Sequence, residues 1–496
     1  MAQGSKFPRI LRGWPAAGLI LLLGYAAFIG MNFAPVAAGA DSGGYLNSAR
    51  LLAAGRLTSQ LRTVPEFKPA TFWPYLPLGY IGEDGSNVIK PTYPIGLPLH
   101  YALAGLLAGW HWGPLLVGVA AAVAAVVLCY LCLREFEVPA GLAALGAATL
   151  AISPMFVYVS FLPMSDTIAT AWCTAAVFAA LRARRDARWS VACGAALAVA
   201  VLVRPGDVLL LPALLLILRG WRALAGAFVG GLPGAVVLGA YHRAMYGSAL
   251  RSGYGPIFEA FGRQWFAPSM RNYGATLPFV LPLCLLVPFA LAILPWRRIG
   301  RELAACIVWF AAFALFYAFY DITPLVWWYL RFILPAFPAL IILAVTGLAA
   351  LLDRVAPSRR RLAGLAVASL VLLASLDTAR HWFGERHIML LKAYQQPYQV
   401  VPAWARAHLP ANALIACMQE SSAFYFYTDF PILRWDQIPP ADFTRLDAAL
   451  RASGRPFYAV LFPFESDDAL HRRMPASWSK VAEVEGIGIW KYAPKS

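Results

Sequence analysis

The sequence predicts a mainly α, polytopic membrane protein of about eleven transmembrane helices, followed by a small C-terminal α/β unit. Three observations carry this expectation. Of 496 residues, 60% are hydrophobic and only 13% charged, with a mean hydropathy of +0.62; a soluble domain has an apolar fraction nearer half. Apolar runs of spanning length, roughly 17 to 25 residues, recur to about residue 378 and then stop. The remaining chain mixes charges, turn prolines and short alternating apolar segments, as a water-facing unit does.

Lys6, Arg9 and Arg12 precede the first run, 16–36, so the N-terminus is expected in the cytoplasm and the chain outside near Asp41. Val36-Ala37-Ala38 resembles a signal-peptide cleavage site, but the run exceeds the roughly 7 to 15 apolar residues of such peptides, and an uncleaved helix is expected. After Asp41, Tyr45, Ala49 and Leu52 fall on one helical face and Asn47 and Arg50 off it, which predicts a short helix along the membrane. Residues 63–98 are broken by Pro, Gly and aromatics within a large first outer loop, 37–112.

Loop charge decides whether 97–110 crosses. If it is a surface or re-entrant segment, Arg134, Arg182, Arg184, Arg185, Arg188, Arg219, Arg222, Arg297, Arg298, Arg301, Arg354, Arg359, Arg360 and Arg361 all face the cytoplasm. As a span it would move four of the basic clusters outside, against the positive-inside rule. The resulting spans lie near 16–36, 113–133, 139–157, 166–181, 189–203, 207–218, 223–240, 276–294, 303–320, 331–351 and 362–378. The net charge of +16 is thus a topology signal and not a nucleic-acid footprint. The expected division is 1–380 in the membrane and 381–496 as an extracytoplasmic α/β unit, with strands at 413–417, 457–464 and 487–492 and helices at 401–409 and 443–452.

Six of seven cysteines fall in apolar runs and only Cys417 in the tail, which excludes a disulfide framework there. Cys129 and Cys132 lack the strand and helix context of a redox motif, and no nucleotide fingerprint is present.

Asp41 stands at the lip of the bilayer, where desolvation raises a carboxylate's proton affinity and suits a general base; an Asp before a helix is equally an N-cap. Asp166, in Pro163-Met164-Ser165-Asp166, carries the same two readings. Arg204, in Arg204-Pro205-Gly206-Asp207, and Arg331, after Trp327-Trp328-Tyr329, emerge on the same face. They suit phosphate oxygens or snorkel beside an aromatic belt. His100, His242, Glu83, Asp84 and Asp41 offer metal-ligand atoms without a recognisable spacing, so a divalent metal stays open and no cofactor is assigned.

Asp41-Ser42-Gly43-Gly44-Tyr45, Tyr93-Pro94-Ile95-Gly96-Leu97-Pro98, Pro163-Met164-Ser165-Asp166, Leu202-Val203-Arg204-Pro205 and Trp328-Tyr329-Leu330-Arg331-Phe332-Ile333-Leu334-Pro335 occur in an order that resembles the GT-C glycosyltransferases. The likeness is greatest to the bacterial dolichyl-phosphate-mannose-protein mannosyltransferase-like group. It departs where many relatives have Asp-Glu and this chain has Asp41-Ser42. The resemblance implies an inner-membrane enzyme that transfers a sugar from a polyprenyl-phosphate donor to a glycan, lipid or protein hydroxyl on the outer face, with inversion. It makes Asp41 and Asp166 the expected catalytic residues; Tyr45, Tyr93, Arg204, Trp328, Tyr329 and Arg331 are the expected substrate-binding residues. A lipid-linked-sugar carrier or flippase and a noncatalytic envelope assembly protein are the rival readings.

Overall fold

The computed structural model describes residues 16–83, 85–294 and 296–493. Lys6, Arg9, Arg12 and Asp84, named above, lie outside the described residues.

Helix α1 (Ala16–Asn32) leads through an extended stretch to α2 (Asp41–Ala53). Short strands β1 (Ser59–Gln60), β2 (Tyr80–Gly82) and β3 (Val88–Pro91) then pair antiparallel in the order β1-β3-β2. Helix α3 (Gly96–Glu135) is broken at Gly109, whose φ of 78° costs glycine little. The stretch 97–110 and the expected span 113–133 are therefore two arms of one bent helix.

Helices α4 (Ala140–Ile152) and α5 (Pro154–Ser160) meet at 58°. Next come α6 (Ser165–Ala183), α7 (Trp189–Val203), α8 (Leu211–Ile217) and α9 (Gly220–Tyr246). A 108° bend separates α10 (Phe266–Val280) from α11 (Val287–Ile293). The bundle closes with α12 (Trp296–Ala318), α13 (Phe337–Leu352), entered through tight turns over Trp327–Ala336, and α14 (Pro357–Glu385). Buried from Phe337 to Leu348, α13 is the central helix.

Among the described residues, five helices are long and apolar enough to cross a membrane, or seven if each bent pair counts as one span. This is fewer than the eleven expected, for physical reasons. Proline and bends divide some apolar runs, Ala16–Asn32, Trp189–Val203 and Pro205–Ile217 are short, and α6 places Ser165, Asp166, Thr167, Thr170 and Thr174 in the interior.

The two ends of α6 separate two sets of charges. Asp166 lies in its first turn, and Arg182 sixteen residues, or about 24 Å of helix rise, further on. At the far end Arg182 and Arg185 each reach Glu135 at 3.1 Å, and Arg184 and Arg219 reach Glu302 at 3.1 and 2.7 Å. Four of the basic loop residues read together in the sequence, Arg182, Arg184, Arg185 and Arg219, thus meet buried acids at one end of the bundle.

Beyond α14 lie α15 (Leu391–Gln395), α16 (Pro397–His408), α17 (Ser421–Tyr427) and α18 (Pro440–Ser453). They flank a five-stranded sheet of β4 (Leu414–Ala416), β5 (Ile432–Leu433), β6 (Phe457–Leu461), β7 (Ser477–Val484) and β8 (Ile487–Ala493), ordered β5-β4-β6-β8-β7. Strand β4 runs parallel to β5 and β6, and β8 antiparallel to β6 and β7. The first outer loop enters this unit: Val64, Phe67 and Tyr75 share one core with Leu414, Trp435, Phe457 and Tyr492.

Helix α2 does not lie on the membrane as expected. Residues 42–49 are all buried, because its polar face meets protein: Asn47 Nδ2 donates to Ser422 O at 3.0 Å, and Ser422 Oγ donates to Gly39 O at 2.5 Å. Helical periodicity identifies a polar face but does not distinguish water from the backbone of another element.

Candidate active site

Each candidate charge stands at the end of an element. Asp41 opens α2, Asp166 is in the first turn of α6, Arg204 follows α7, and Arg331 lies in the turns before α13. These four ends converge. Arg331 Nη2 donates to Asp41 Oδ2 at 2.7 Å and Tyr93 Oη donates to Asp41 Oδ1 at 2.6 Å. Arg204 Nη1 donates to Asp166 Oδ1 at 2.6 Å, and Arg331 Nη1 stands 4.0 Å from Asp166 Oδ2. Arg204 Nη1 also reaches Arg331 O at 3.4 Å, which closes the network.

This geometry removes the capping readings. Ala40 and Met164 precede the two helices, and neither N-terminus has a side-chain cap. Both carboxylates are instead spent on arginines.

Exposure separates the pairs. The side chains of Asp166 and Arg204 are 3% and 11% exposed, whereas that of Asp41 is 31% exposed, with Arg331 at 15%. A buried ion pair holds only while both partners remain, so Arg204 and Asp166 form the fixed half of the site. Asp41 is the acid an incoming molecule reaches.

The expectation that burial makes Asp41 a stronger base is reversed in the resting state. Burial does push its pKa up, but the Arg331 charge, hydrogen bonds from Tyr93 and Arg331, and the Arg204 charge together hold it below the usual carboxylate value. Tyr93 moves the other way: burial and the neighbouring Asp41 charge raise its phenol well above normal, so it remains a donor.

Aromatic rings wall the cluster. Tyr45 and Tyr93 approach at 4.6 Å between centroids, and Tyr45 Oη donates to Ser165 Oγ at 3.1 Å. Tyr329 stacks on Phe332 at 5.6 Å, and the Arg331 guanidinium lies 5.4 Å from the Phe332 ring. Trp328 is 37% exposed and among the described residues makes ring contacts with its neighbours Trp327 and Tyr329 alone, so it sits at the rim.

His100 belongs to a structural contact. Trp172 Nε1, which only donates, faces His100 Nε2 at 3.3 Å, which leaves Nδ1–H to donate to Gly96 O at 2.7 Å. His242 Nδ1 faces Ala249 O at 3.2 Å. Among the described residues no three His, Cys, Asp or Glu side chains converge as metal ligands.

Sequence reasoning missed Phe332, Met164 and Tyr254. Phe332 carries both arginines, with Arg204 5.7 Å from its ring. Met164 Sδ meets Arg331 Nη1 at 3.6 Å, and Tyr254 packs edge-on to Tyr93 at 6.1 Å. Phe332 and Met164 lie inside quoted motifs, where their adjacency to Arg331 and Asp166 was an available signal; Tyr254 offered none.

Two glycines set how closely α2 approaches. A Cβ on Gly43 would collide with Ser422 Oγ, and one on Gly44 would collide with the Tyr93 ring and stand 3.1 Å from Gly79 Cα. Gly44→Ala is therefore expected to displace Tyr93 from Asp41, cost about 1–3 kcal/mol of stability through overpacking, and lower any activity that uses Asp41. Thermal melts and a turnover assay check this; a variant with wild-type melting and rate would contradict it.

Residues 94–238 match the family described as dolichyl-phosphate-mannose-protein mannosyltransferase. No curated protein matches the chain. Among solved structures, ArnT from Cupriavidus metallidurans bound to undecaprenyl phosphate aligns with a TM-score of 0.60 at 17% identity, covering 97% of this chain and 100% of that one. The Archaeoglobus fulgidus oligosaccharyltransferase tethered with an acceptor peptide aligns at 0.56 and 12% identity, covering 96% and 74%. Arabinofuranosyltransferase AftD from Mycobacteria aligns at 0.55 and 14% identity, with 96% of this chain on 40% of that one. The family match is confined to 94–238, and the full chain, with its charged helix ends meeting in one cluster, shares the fold of these three proteins.

Proposed function

We propose that the protein is a bacterial inner-membrane glycosyltransferase that moves a sugar from a polyprenyl-phosphate donor to an acceptor hydroxyl on the outer face, with inversion. The observation that carries this reading is the partly exposed Asp41 held by Arg331, with the buried Asp166–Arg204 pair behind it. Support for the donor class comes from the likeness to ArnT bound to undecaprenyl phosphate and to an archaeal oligosaccharyltransferase in complex with an inhibitory peptide and a dolichol-phosphate.

In the proposed step Asp41 takes the acceptor hydroxyl proton, and the oxygen forms a bond to the anomeric carbon. The bond from that carbon to the phosphate oxygen breaks, and polyprenyl phosphate leaves with the electron pair. Arg331, already paired with a carboxylate, suits the departing phosphate. Tyr93 keeps Asp41 oriented as Arg331 moves; Tyr45, Tyr329 and rim Trp328 offer rings to sugar and lipid. Arg204 acts through Asp166, whose negative charge holds the second arm of Arg331.

In this reading the protein crosses the membrane eleven times. The five long helices, the two bent pairs, the three shorter apolar helices and α6 correspond one to one with the expected spans. The N-terminus is then cytoplasmic, and 381–496 is an extracytoplasmic unit docked on 1–380 through the first outer loop.

The direct test mixes purified protein with labelled polyprenyl-phosphate sugars and acceptor candidates. Release of free polyprenyl phosphate is the expected result. Movement of intact donor across a vesicle membrane without release would replace this reading with the carrier.

A pH prediction follows from the Asp41 pair. The base works ionised, so activity is lost as pH falls through its operative pKa. Free enzyme holds that pKa low through Arg331 and Tyr93; donor phosphate that draws Arg331 away lets burial dominate and raises it. The acid limb of kcat, which reports the complex, is expected at higher pH than that of kcat/KM, which reports free enzyme. Coincident limbs would contradict the exchange of Arg331.

A further inference from the structure

A second basic site lies on the other face of α2. Asp41 and Tyr45 face the cluster described above, while Gly43, Asn47 and Arg50, at helical spacing, face α17. There a cavity of about 310 Å³ opens between α2, the first outer loop and the chain from α17 to Asp429, with Arg50, Arg56, Arg62 and Arg406 in its lining.

Part of this arrangement is explained by the end of α17, whose terminal carbonyls lack helical partners and attract cations. Arg62 donates to Tyr425 O and Thr428 O at 3.1 and 2.6 Å, Arg50 to Phe426 O at 2.5 Å, and Arg406 to Tyr427 O at 3.3 Å. That accounts for one or two of the five donors on each of three guanidiniums. It does not account for Arg56, which is exposed and whose guanidinium has no hydrogen bond or ion pair among the described residues.

Nor does the lining balance its own charge. Its single acid, Asp429, stands 3.8 Å from Arg62 with a fully exposed side chain. Four guanidiniums held around a small cavity repel one another, and planar N–H forks suit phosphoryl oxygens. The volume is in the range of small-ligand pockets, roughly 300 to 1,000 Å³.

We propose that this cavity is an anion-binding site for a phosphate monoester, either free or as a lipid headgroup, separate from the Asp41–Arg331 centre. Arg50 follows Asp41 by nine residues, about 13 Å along α2, too far for one phosphoryl group to span both. Arg50 and Arg62 form the inner wall. Arg56 and Arg406 are exposed and supply the outer charges. An anion held there would tie α2 to α17.

The test titrates inorganic phosphate into the purified full-length protein, and in a second arm compares melting in phosphatidylcholine nanodiscs with and without phosphatidic acid. The variant is Arg56→Gln/Arg406→Gln, both at exposed positions, with unchanged melting in the absence of anion as its folding control. Should that control fail, Arg56→Gln alone takes its place. Saturable phosphate binding weakened roughly tenfold or more by the variant establishes the site for free phosphate. No response to phosphate, but stabilisation by phosphatidic acid that the variant loses, establishes the headgroup source. Absence of both responses, or responses unchanged in the variant, overturns the proposal. The loss of binding caused by Arg56→Gln/Arg406→Gln is expected to be the same in an Asp41→Asn background, so a failure of the sugar-transfer reading leaves this result standing.

Discussion

Asp41→Asn is expected to lower kcat for sugar transfer by about 10²–10⁴-fold, the range for loss of a positioned general base, without raising the KM for the lipid donor. The substitution keeps the shape of the side chain but removes the charge that Arg331 meets at 2.7 Å. Arg331 is then free for the donor phosphate, so donor affinity holds or improves while proton removal fails. A steady-state split of kcat from KM with purified protein checks this. Near-normal kcat would remove Asp41 from the chemistry, and a large rise in donor KM alone would make it a binding residue.

The second large effect falls on folding. Arg204→Gln leaves Asp166, 3% exposed, without its 2.6 Å partner, while Arg331 remains 4.0 Å away. Stranding one member of a buried ion pair costs about 3–5 kcal/mol, enough to reduce the folded yield severely given total stabilities of roughly 5–15 kcal/mol. Adding Asp166→Asn removes the stranded charge and is expected to restore much of the stability but not the activity. Melting temperatures of the two single variants and the double variant, in one detergent, give the coupling. Additive losses would mean that the two side chains do not depend on each other.

The two variants probe different halves of one cluster. Asp41–Arg331 is the half that is partly open, and its effects are expected in rate. Asp166–Arg204 is closed, and its effects are expected in stability as well as rate, because Asp166 also holds Arg331.

The sequence by itself determined the material of each part. Long apolar runs fix helices in a bilayer, and alternating apolar segments after residue 380 fix strands, because hydrophobic periodicity is local and survives without the fold. Loop charge grouped the arginines that meet Glu135 and Glu302 at one end of the bundle, and helix-end motifs named Asp41, Asp166, Arg204 and Arg331. Periodicity did not count the described spans, because bends and short helices break runs that composition reads as continuous.

Tertiary structure alone decided which partner each group takes. Arg331 finds Asp41 across 290 residues, and Asn47 finds Ser422 across 375; no pattern a few residues long carries such pairings. The choice between a capping and a paired carboxylate, the reversal of the Asp41 proton affinity and the burial of the polar face of α2 follow from these contacts. So does the arginine-lined cavity, whose walls come from opposite ends of the chain. Electrostatic fields act through space, and only the fold sets which charges are close.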